Sequence, residues 1–363
     1  MSTPQKLGHK AIIVGASTAG LLSARVLSDY YDQVVVLERD HAEDLRMDPP
    51  KPRKGIPQSR HIHILLSGGE MALSDLLPGF ADDLVAAGAQ TGNFAETIRW
   101  RLAGSWYPQF KSDLAQYVQS RPLIDQVLTK KVLSIPNINV ISGVKVKDYI
   151  LDSSQTHITH VETLDESGQT EHHAADFMVD AGGRGALFPR WLKDSPFGAP
   201  PEHLVGFDLA YSTCAFERDP AQNHDWLLTA LYPTIPDELR GGVVCCIEDN
   251  QYLVTLYGYH GDHPPTDEEG FKAFARSLPS PEIYDSIKDL TPNGDIIRHK
   301  FMGSLRRHYE RMARTPHNIV AIGDAMCSLN PAFAQGISGV ALEVKAMQEV
   351  IATHAAGHIA ATD

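Results

Sequence analysis

The stretch AIIVGASTAGLLSARVL, residues 11–27, decides the expected fold of this chain. It opens with a continuous apolar run, passes through a turn of small residues and continues as a helical pattern from Leu21 to Leu27. Residues Gln33 to Glu38 then form a second apolar run. Continuous apolar strands are typical of a parallel sheet that helices cover on both faces. The order strand, turn, helix, strand therefore predicts an α/β fold of the Rossmann type.

The turn has the pattern of a dinucleotide fingerprint. Gly15, Ser17 and Gly20 occupy its three glycine positions, which serve a tight turn, close approach to a pyrophosphate and close packing of helix on strand. Glu38 follows Gly20 by 18 positions. Its carboxylate can accept hydrogen bonds from both ribose hydroxyls of an adenosine, or it can simply cap a loop. Turn and carboxylate together indicate FAD or NAD.

A second segment, near the other end of the chain, favours FAD over NAD. Gly323-Asp324-Ala325 directly follows the apolar run Ile319–Ile322, and Asn330-Pro331 and Gln335-Gly336 come next. An aspartate at a strand end can hydrogen-bond a ribityl chain. A helix that begins near Gly336 can direct its positive end at a flavin ring and stabilise the charge of the reduced flavin. NAD has no ribityl chain for this aspartate to hold.

Composition excludes several classes of protein. The 363 residues, 43% of them hydrophobic and 21% charged, suit a globular protein of two domains. The formal net charge of −13 repels nucleic acid and anionic membranes. The first ten residues lack a secretory apolar run, so we expect a cytoplasmic protein without integral membrane association. The four cysteines show no zinc or disulfide spacing and are predicted to be buried thiols.

Two histidines and three aromatic residues are further candidates for a site. His61 and His63 alternate along an extended segment and so point the same way. No third ligand is close in sequence, so we predict a pocket or structural role and no metal. Trp100, Trp106 and Tyr107 either line a substrate pocket or pack on a sheet face. No catalytic Ser-His-acid motif and no phosphate loop with a lysine is present, which excludes the common hydrolases and kinases.

Seven stretches of the chain, in the same order, carry a likeness to a known family. The chain resembles the class A flavin monooxygenases, the para-hydroxybenzoate hydroxylase group, over nearly its whole length. Within that group it looks most like the bacterial branch that includes the polyether-antibiotic epoxidases. The stretches are VGASTAGLLSARVL (14–27), VVLERD (35–40), KGIPQSRHIHILLSGG (54–69), SRPLIDQVL (120–128), VDAGGRG (179–185), RRHYERM (306–312) and IGDAMCSLNPAFAQGISG (322–339).

The resemblance implies a set of cofactor-binding residues. The ADP half of FAD would contact Gly15, Ser17, Gly20 and Glu38. Arg121, which follows a predicted helix cap at Ser120, would reach the pyrophosphate, although without the family it could equally be a surface residue. The remaining positions are Val146 at the adenine, Asp324 at the ribityl and pyrophosphate, Arg39, Asp180, Gly182 and Gly323 near the cofactor, and Pro331, Gln335 and Gly336 beside the isoalloxazine ring.

The resemblance also implies the domain organisation and the activity. Residues 1–80, 112–195 and 296–363 would form a discontinuous FAD-binding domain, and residues 81–111 and 196–295 a mixed α+β substrate domain. NADPH or NADH would reduce FAD. A C4a-hydroperoxyflavin would then transfer one atom of molecular oxygen to a small apolar or aromatic organic substrate, by epoxidation or hydroxylation. The cofactor supplies this chemistry, so no catalytic side chain is assigned.

Four departures from the family leave the affinity for flavin open, and two other functions remain as alternatives. Serine stands at position 17 where the family prefers glycine, alanine at 186 where serine is frequent, and alanine at 334 where glycine is common. Family members also usually continue well past the final helix, whereas this sequence ends at Asp363. The alternatives are a flavin-dependent reductase or dehydrogenase of a prenyl-type substrate, and an inactive, C-terminally shortened FAD-binding protein.

Overall fold

The computed structural model describes residues 5–219 and 224–357. The strands, in chain order, are β1 Gly8–Val14, β2 Tyr31–Glu38, β3 Gln90–Asn93, β4 Ile98–Leu102, β5 Ser105–Trp106, β6 Ala115–Val118, β7 Ile138–Ser142, β8 Val144–Leu151, β9 Ile158–Asp165, β10 Thr170–Ala174, β11 Phe177–Asp180, β12 Glu202–Glu217, β13 Leu228–Leu231, β14 Arg240–Ile247, β15 Gln251–Gly258, β16 Ile297–Arg307, β17 Ile319–Ala321 and β18 Cys327–Ser328.

The α-helices connect and cover these strands. They are α1 Thr18–Leu27, α2 Ala42–Leu45, α3 Ser67–Leu76, α4 Phe80–Ala86, α5 Phe94–Thr97, α6 Arg121–Leu133, α7 Phe188–Asp194, α8 Glu268–Arg276, α9 Glu282–Ile287 and α10 Gly336–Ala355. Short 3-10 turns lie at Pro57–Arg60, Tyr309–Arg311, Gly323–Ala325 and Pro331–Phe333. Among the described helices, none combines the length and the apolar character needed to cross a bilayer.

A parallel sheet of order β17-β11-β1-β2-β7 holds both predicted cofactor segments. All four of its strand pairs are parallel. The apolar run Ala11–Ile13 is fully buried, because helices α1, α3, α6 and α10 pack on one face and the sheet β8–β10 with α7 packs on the other. This two-sided burial confirms the α/β fold that the continuous apolar strands predict.

A larger sheet of order β18-β16-β12-β15-β14-β13-β4-β5 forms the second half of the molecule. Its pairs are antiparallel except that of β13 with β4. Side chains alternate between the two faces, as pleating requires. Val244 and Cys246 pack under α8 and α9, whereas Val243 and Cys245 face the opposite way. The face that carries Val243 lines the cavity described below.

The division into two domains remains a prediction. Strand β16, which falls in the predicted segment 296–363 of the FAD-binding domain, pairs with β12 in the large sheet. One expectation needs correction. Of the four cysteines, Cys214, Cys245 and Cys246 are buried, but Cys327 is only partly buried, because it lies on the short edge strand β18.

Candidate functional site

One cavity of about 830 Å³, called the slot below, is lined by residues from both ends of the chain. Residues Gly15–Ala19, in the turn after β1, line it together with Asp324 and Gly336. A methyl group placed on Gly323 would lie 3.3 Å from the methyl carbon of Ala19, so the two segments are in contact. The hypothesis that the fingerprint turn and the segment around Asp324 form one site requires that they lie side by side in this way.

Two helix N-termini face the slot without a side-chain cap. Ser17 precedes α1 and Gln335 precedes α10, and neither side chain accepts a hydrogen bond from the first turn of its helix. Residues 17–19 and 336–337 line the slot. The first N–H groups of each helix are therefore free for an anion, and the helix dipole favours negative charge there.

Arg121 ties the first helix to the slot. Its Nη2 donates to Ser17 Oγ and to Thr18 Oγ1, both at 3.1 Å, and its Nε donates to Asp125 Oδ1 at 2.9 Å. The residue is buried and lines the slot. Serine at position 17 therefore accepts a hydrogen bond that glycine could not. The structure excludes the alternative that Arg121 is a surface residue.

Glu38 combines both of the roles considered for it. Its Oε2 accepts from the Ala16 N–H at 2.6 Å and its Oε1 from the Asp40 N–H at 2.9 Å, so it caps the loop after β2. It also lines the slot. Each carboxylate oxygen can accept more than one hydrogen bond, so hydroxyl groups of a ligand can still be bound.

Asp324 lies in a turn that other side chains hold in place. Glu343 Oε2 accepts from the Gly323 N–H at 2.7 Å, and Arg307 Nη1 donates to the Ala325 carbonyl at 3.0 Å. Asp324 lines the slot and is exposed to the space within it; desolvation by the surrounding protein raises the pKa of its carboxyl, while Arg184, Arg121 and Arg307 act in the opposite direction. The turn thus presents a carboxylate to the slot within a basic environment.

Asp180 lies behind the slot rather than in its wall. Its side chain is fully buried, and its Oδ1 accepts from the Gly182 N–H at 2.9 Å. Burial raises the pKa of this carboxyl to about 6. Residues 181–187, which follow, line the slot. Asp180 therefore shapes the backbone of that segment.

The predicted cofactor residues divide into two groups. Those that line the slot are Gly15, Ser17, Glu38, Arg39, Arg121, Val146, Gly182, Asp324, Pro331 and Gly336. Gly20, Asp180, Gly323 and Gln335 are not part of the lining. Gly20 instead allows close packing, since a methyl group on it would lie 1.8 Å from the Gly15 carbonyl oxygen. Gln335 is exposed at the start of α10.

The sequence analysis did not identify Arg53, beside the fingerprint turn, or the side chains that the large sheet contributes to the slot. Arg53 is buried, donates from Nη2 to the Ala16 carbonyl at 2.8 Å and lies 3.6 Å from Asp40, so it fixes the fingerprint turn. The large sheet contributes the side chains of Leu209, Tyr211, Val243, Thr255, Tyr257, His299 and Phe301 to the slot. Only the strand pairing brings these positions together, and no local motif marks them.

His61 and His63 line the slot, in agreement with the predicted pocket or structural role. His61 Nδ1 lies 2.7 Å from Thr213 Oγ1, and His63 Nδ1 donates to the His61 carbonyl at 2.9 Å. Burial lowers the pKa of each imidazole to about 3, so both are neutral at pH 7. In the described part of the chain, His, Cys, Asp and Glu side chains form no group of three that could hold a metal ion.

The three aromatic residues proposed as pocket or packing residues lie outside the slot lining. Trp100 packs edge-on against Phe94 at 5.6 Å between ring centroids, and Arg99 lies over the Trp106 ring at 5.3 Å. Tyr107 is exposed. The structure therefore favours packing at the sheet edge.

The nucleotide-facing half of the slot fits a dinucleotide with a diphosphate. Although the chain carries a net charge of −13, the basic side chains in the lining are Arg39, Arg121, Lys145, Arg184, Arg190 and Lys300, against the acidic Glu38 and Asp324. Basic groups concentrated in a cleft attract anionic ligands. Two free helix N-termini in the same cavity provide N–H donors as well.

Comparison with solved structures identifies the class of fold. PqsL of Pseudomonas aeruginosa, described as a probable FAD-dependent monooxygenase, aligns with a TM-score of 0.71 at 12% identity, over 98% of this chain and 88% of that one. The flavin-dependent brominase Bmp2 aligns with a TM-score of 0.70 at 19% identity, over 96% of this chain and 80% of that one. The fold is that of the FAD-dependent monooxygenases and flavin-dependent halogenases, which confirms the predicted fold class.

Comparison with curated sequences identifies the family. The chain is 31% identical over 341 residues to protein Rv3254 of Mycobacterium tuberculosis, covering 92% of this chain and 71% of that protein, and it belongs to the same family. The 6-hydroxy-3-succinoylpyridine 3-monooxygenase HspB of Pseudomonas putida is 25% identical over 358 residues, covering 94% of this chain and 79% of that protein. No family model matches the chain.

Proposed function

We propose that this protein is an FAD-dependent monooxygenase that uses NADPH or NADH and molecular oxygen to insert one oxygen atom into a small aromatic substrate. The observation that carries the proposal is the slot itself. One end of the slot has helix N-termini that can bind an anion, together with Arg121 and Asp324. The other end is a face of the large sheet with aromatic side chains such as Tyr211, Tyr257 and Phe301. A dinucleotide and an organic molecule can therefore occupy one cavity.

The comparisons with known proteins support a monooxygenase activity. HspB is named as a monooxygenase of a hydroxylated pyridine, and PqsL is described as a probable FAD-dependent monooxygenase. Both align with more than nine-tenths of this chain. Both names describe monooxygenases, and that of HspB specifies an aromatic substrate.

Hydroxylation is favoured over the epoxidation that the polyether-epoxidase branch would imply. An epoxidase needs only an apolar pocket that positions a double bond, whereas a hydroxylase of a polar ring needs hydrogen-bonding groups near the ring. The large-sheet end of the slot contains His61, Tyr211 and His299. Their nitrogen and hydroxyl groups give this end of the slot hydrogen-bonding capacity that a purely apolar substrate would not use.

The bound flavin would supply the redox chemistry, and the residues of this chain would bind, orient and enclose it. Glu38 would accept hydrogen bonds from the ribose hydroxyls. Arg121 and the free N–H groups of α1 would bind the diphosphate. Asp324 would accept hydrogen bonds from the ribityl chain, and the N-terminus of α10 would stabilise negative charge on the reduced ring. The large-sheet face would exclude water from the substrate.

The proposal is tested by purifying the protein and measuring its bound flavin, its NAD(P)H oxidation and its oxygen uptake. A yellow protein whose NAD(P)H oxidation and oxygen uptake rise with an aromatic substrate would support it. Bound flavin without oxygen uptake would instead favour the reductase or dehydrogenase, and a colourless protein that cannot be reconstituted with FAD would favour an inactive flavin-binding remnant. Either of the last two results contradicts the proposal.

The substitution Asp324→Ala tests the cofactor site. We expect loss of nearly all bound FAD, since the variant removes the carboxylate that the Gly323–Ala325 turn presents to the slot. Flavin content per protein is measured from the visible spectrum. Asp113→Ala, which removes an exposed carboxylate outside the slot lining, is the control and should keep the wild-type flavin content. Wild-type flavin content in Asp324→Ala would refute the assignment.

A further inference from the structure

The outer edge of β16 forms part of the slot wall. The four consecutive residues 299–302 all line the slot, which indicates that the strand turns an edge toward the cavity, because side chains on one face of a strand alternate. Strand β18 pairs with this edge only at Leu305 and Arg306. Among the described residues, no strand pairs with it between Ile297 and Gly303. Backbone groups on such an edge need other partners to be held in place.

The guanidinium of Arg184 occupies the place of the missing strand. The Leu305 N–H points to this side of β16 and donates to Ser328 Oγ at 3.2 Å. Alternate residues of a strand direct their backbone groups to the same side. Gly303 does so, and its carbonyl accepts from Arg184 Nη1 at 2.6 Å. The same Nη1 donates to Ser328 Oγ at 3.2 Å, so Arg184 continues the short pairing of β18 with β16.

Arg184 also contacts an aromatic ring in the wall of the slot. Its guanidinium carbon lies 4.7 Å from the centre of the Phe301 ring, which itself stacks on Phe207 at 6.0 Å between ring centroids. The Arg184 carbonyl accepts from Arg307 Nη2 at 3.1 Å, so the backbone of the residue is fixed as well. A planar guanidinium can bond to two acceptors while it lies over a ring, and a lysine ammonium cannot reproduce this geometry.

Three segments that are distant in the sequence meet at this guanidinium. Arg184 belongs to residues 181–187, which follow β11 and line the slot, whereas Gly303 belongs to the large sheet. Ser328 ends β18, which follows the turn that contains Asp324. Desolvation raises the pKa of the Asp324 carboxyl, and Arg184 acts most strongly of the three arginines that oppose this effect. Both the hydrogen bonds and the charge of Arg184 therefore act on the Asp324 segment.

We propose that Arg184 is a positioning residue that joins the Asp324 segment to the open edge of β16 and so fixes the wall of the slot around Phe301 before FAD binds. Its effect on cofactor binding rests on the proposed function, whereas its effect on β16 is a property of the apoprotein. Arg184 acts by holding these segments together, and it needs no contact with the cofactor to do so.

Amide hydrogen exchange of the apoprotein, followed by mass spectrometry of the peptide that contains β16, tests the positioning. Arg184→Met removes the hydrogen-bond donor and the charge. We expect this variant to exchange the β16 amides about tenfold faster than the wild type, the effect of one hydrogen bond from a charged group. Arg184→Lys keeps a charge and a donor and should recover part of the protection.

Arg314→Met is the matched control for the exchange measurement. The Arg314 guanidinium also lies over an aromatic ring, that of Phe197 at 5.6 Å, but outside the slot lining. We expect wild-type exchange of β16 in this variant. Thermal unfolding of each variant verifies that it is folded.

Titration of each apoprotein with FAD gives a second measurement. We expect Arg184→Met to bind FAD about tenfold more weakly than the wild type. Ser328→Ala leaves the guanidinium and its charge in place but removes one of its two acceptors, so it should cause a smaller loss of affinity. Because both substitutions break the same bond, the double variant should bind FAD no more weakly than Arg184→Met alone.

Two results would overturn the inference. One is wild-type exchange of β16 in Arg184→Met. The other is weaker FAD binding in Arg184→Met with unchanged binding in Ser328→Ala, because Arg184 would then act as a charge that binds the cofactor directly. The bound flavin and oxygen uptake of the wild-type protein decide the proposed function separately, since the exchange measurement requires neither.

Discussion

The nucleotide end of the slot is held by hydrogen bonds between charged side chains and the backbone, whereas the large-sheet end is formed mainly by aromatic and aliphatic side chains on the face of a sheet. At the first end, Arg121, Glu38 and Arg53 each bond to the turn after β1 or to the helix that follows it. At the second end, Tyr211, His299 and Phe301 pack mainly ring against ring or project into the cavity.

The difference shows which part of the site is fixed before a ligand binds. Many hydrogen bonds determine the backbone at the nucleotide end, so small changes there have large effects. Side chains at the large-sheet end can change without breaking the fold, because the strands hold each other through backbone bonds. We therefore expect cofactor binding to be sensitive to geometry and substrate choice to be sensitive to side-chain chemistry.

Gly20→Ala should have the largest effect on the nucleotide end. The added methyl group would lie 1.8 Å from the Gly15 carbonyl oxygen, so the backbone must move. We expect a loss of about 3 kcal/mol in the free energy of unfolding, as for severe overpacking, together with loss of FAD. Urea unfolding and the visible spectrum measure the two effects.

Gly68→Ala is the control for this substitution. Gly68 lies in α3, and a methyl group there meets nothing within 4 Å. Alanine is the better helix former, so we expect a gain of up to about 1 kcal/mol and wild-type flavin content. Equal stability of Gly20→Ala and Gly68→Ala would show that the fingerprint turn is not closely packed.

Asp180→Asn should change stability in a pH-dependent way. Burial raises the pKa of this carboxyl to about 6, well above the usual value for an unfolded aspartate. Between the two values the folded protein binds more protons than the unfolded one, so this group's contribution to stability falls as the pH rises through that window. Asparagine removes the buried charge, and its carbonyl can still accept from Gly182.

We expect the free energy of unfolding of the variant to be about 3 kcal/mol higher than that of the wild type at pH 8, since one pKa unit corresponds to about 1.4 kcal/mol. Near pH 4 the two proteins should differ little. Urea unfolding of both proteins at the two pH values measures this difference in the free energy of unfolding. The other carboxyl groups are the same in both proteins, so their contributions cancel. The same difference at both pH values would mean that Asp180 is not the titrating group.

The nucleotide end could be predicted from sequence because its features are local. Gly15, Ser17 and Glu38 fall within one strand-turn-helix-strand unit, and hydrophobic runs mark its strands. Ser120 was also expected to begin a helix, and it caps α6 by accepting from the Leu123 N–H. In each case the chemistry depends on residues a few positions apart.

The large-sheet end could not be predicted because it depends on pairing between distant strands. Tyr211 faces His299 only through the register of β12 with β16, two strands that are far apart in the sequence. A bulge between Gly206 and Leu209 also shifts that register, and no sequence pattern reports it. Arg53 was missed because it lies in a proline-rich loop whose path depends on the fold.

Ala334→Gly should have the smallest effect on stability of the substitutions considered, and it tests whether the backbone at this position of the slot contributes to cofactor binding. Ala334 lines the slot with a left-handed backbone at φ 52°, which glycine adopts more easily than alanine. We expect a gain of up to about 1 kcal/mol in stability.

Ala103, in the turn between β4 and β5, has the same φ of 52° outside the slot. Ala103→Gly should give a similar gain without altering FAD affinity, which titration of the apoprotein with FAD measures. A change in FAD affinity only in Ala334→Gly would show that this backbone contributes to cofactor binding, whereas equal FAD affinity in both variants would confine the role of Ala334 to the local turn.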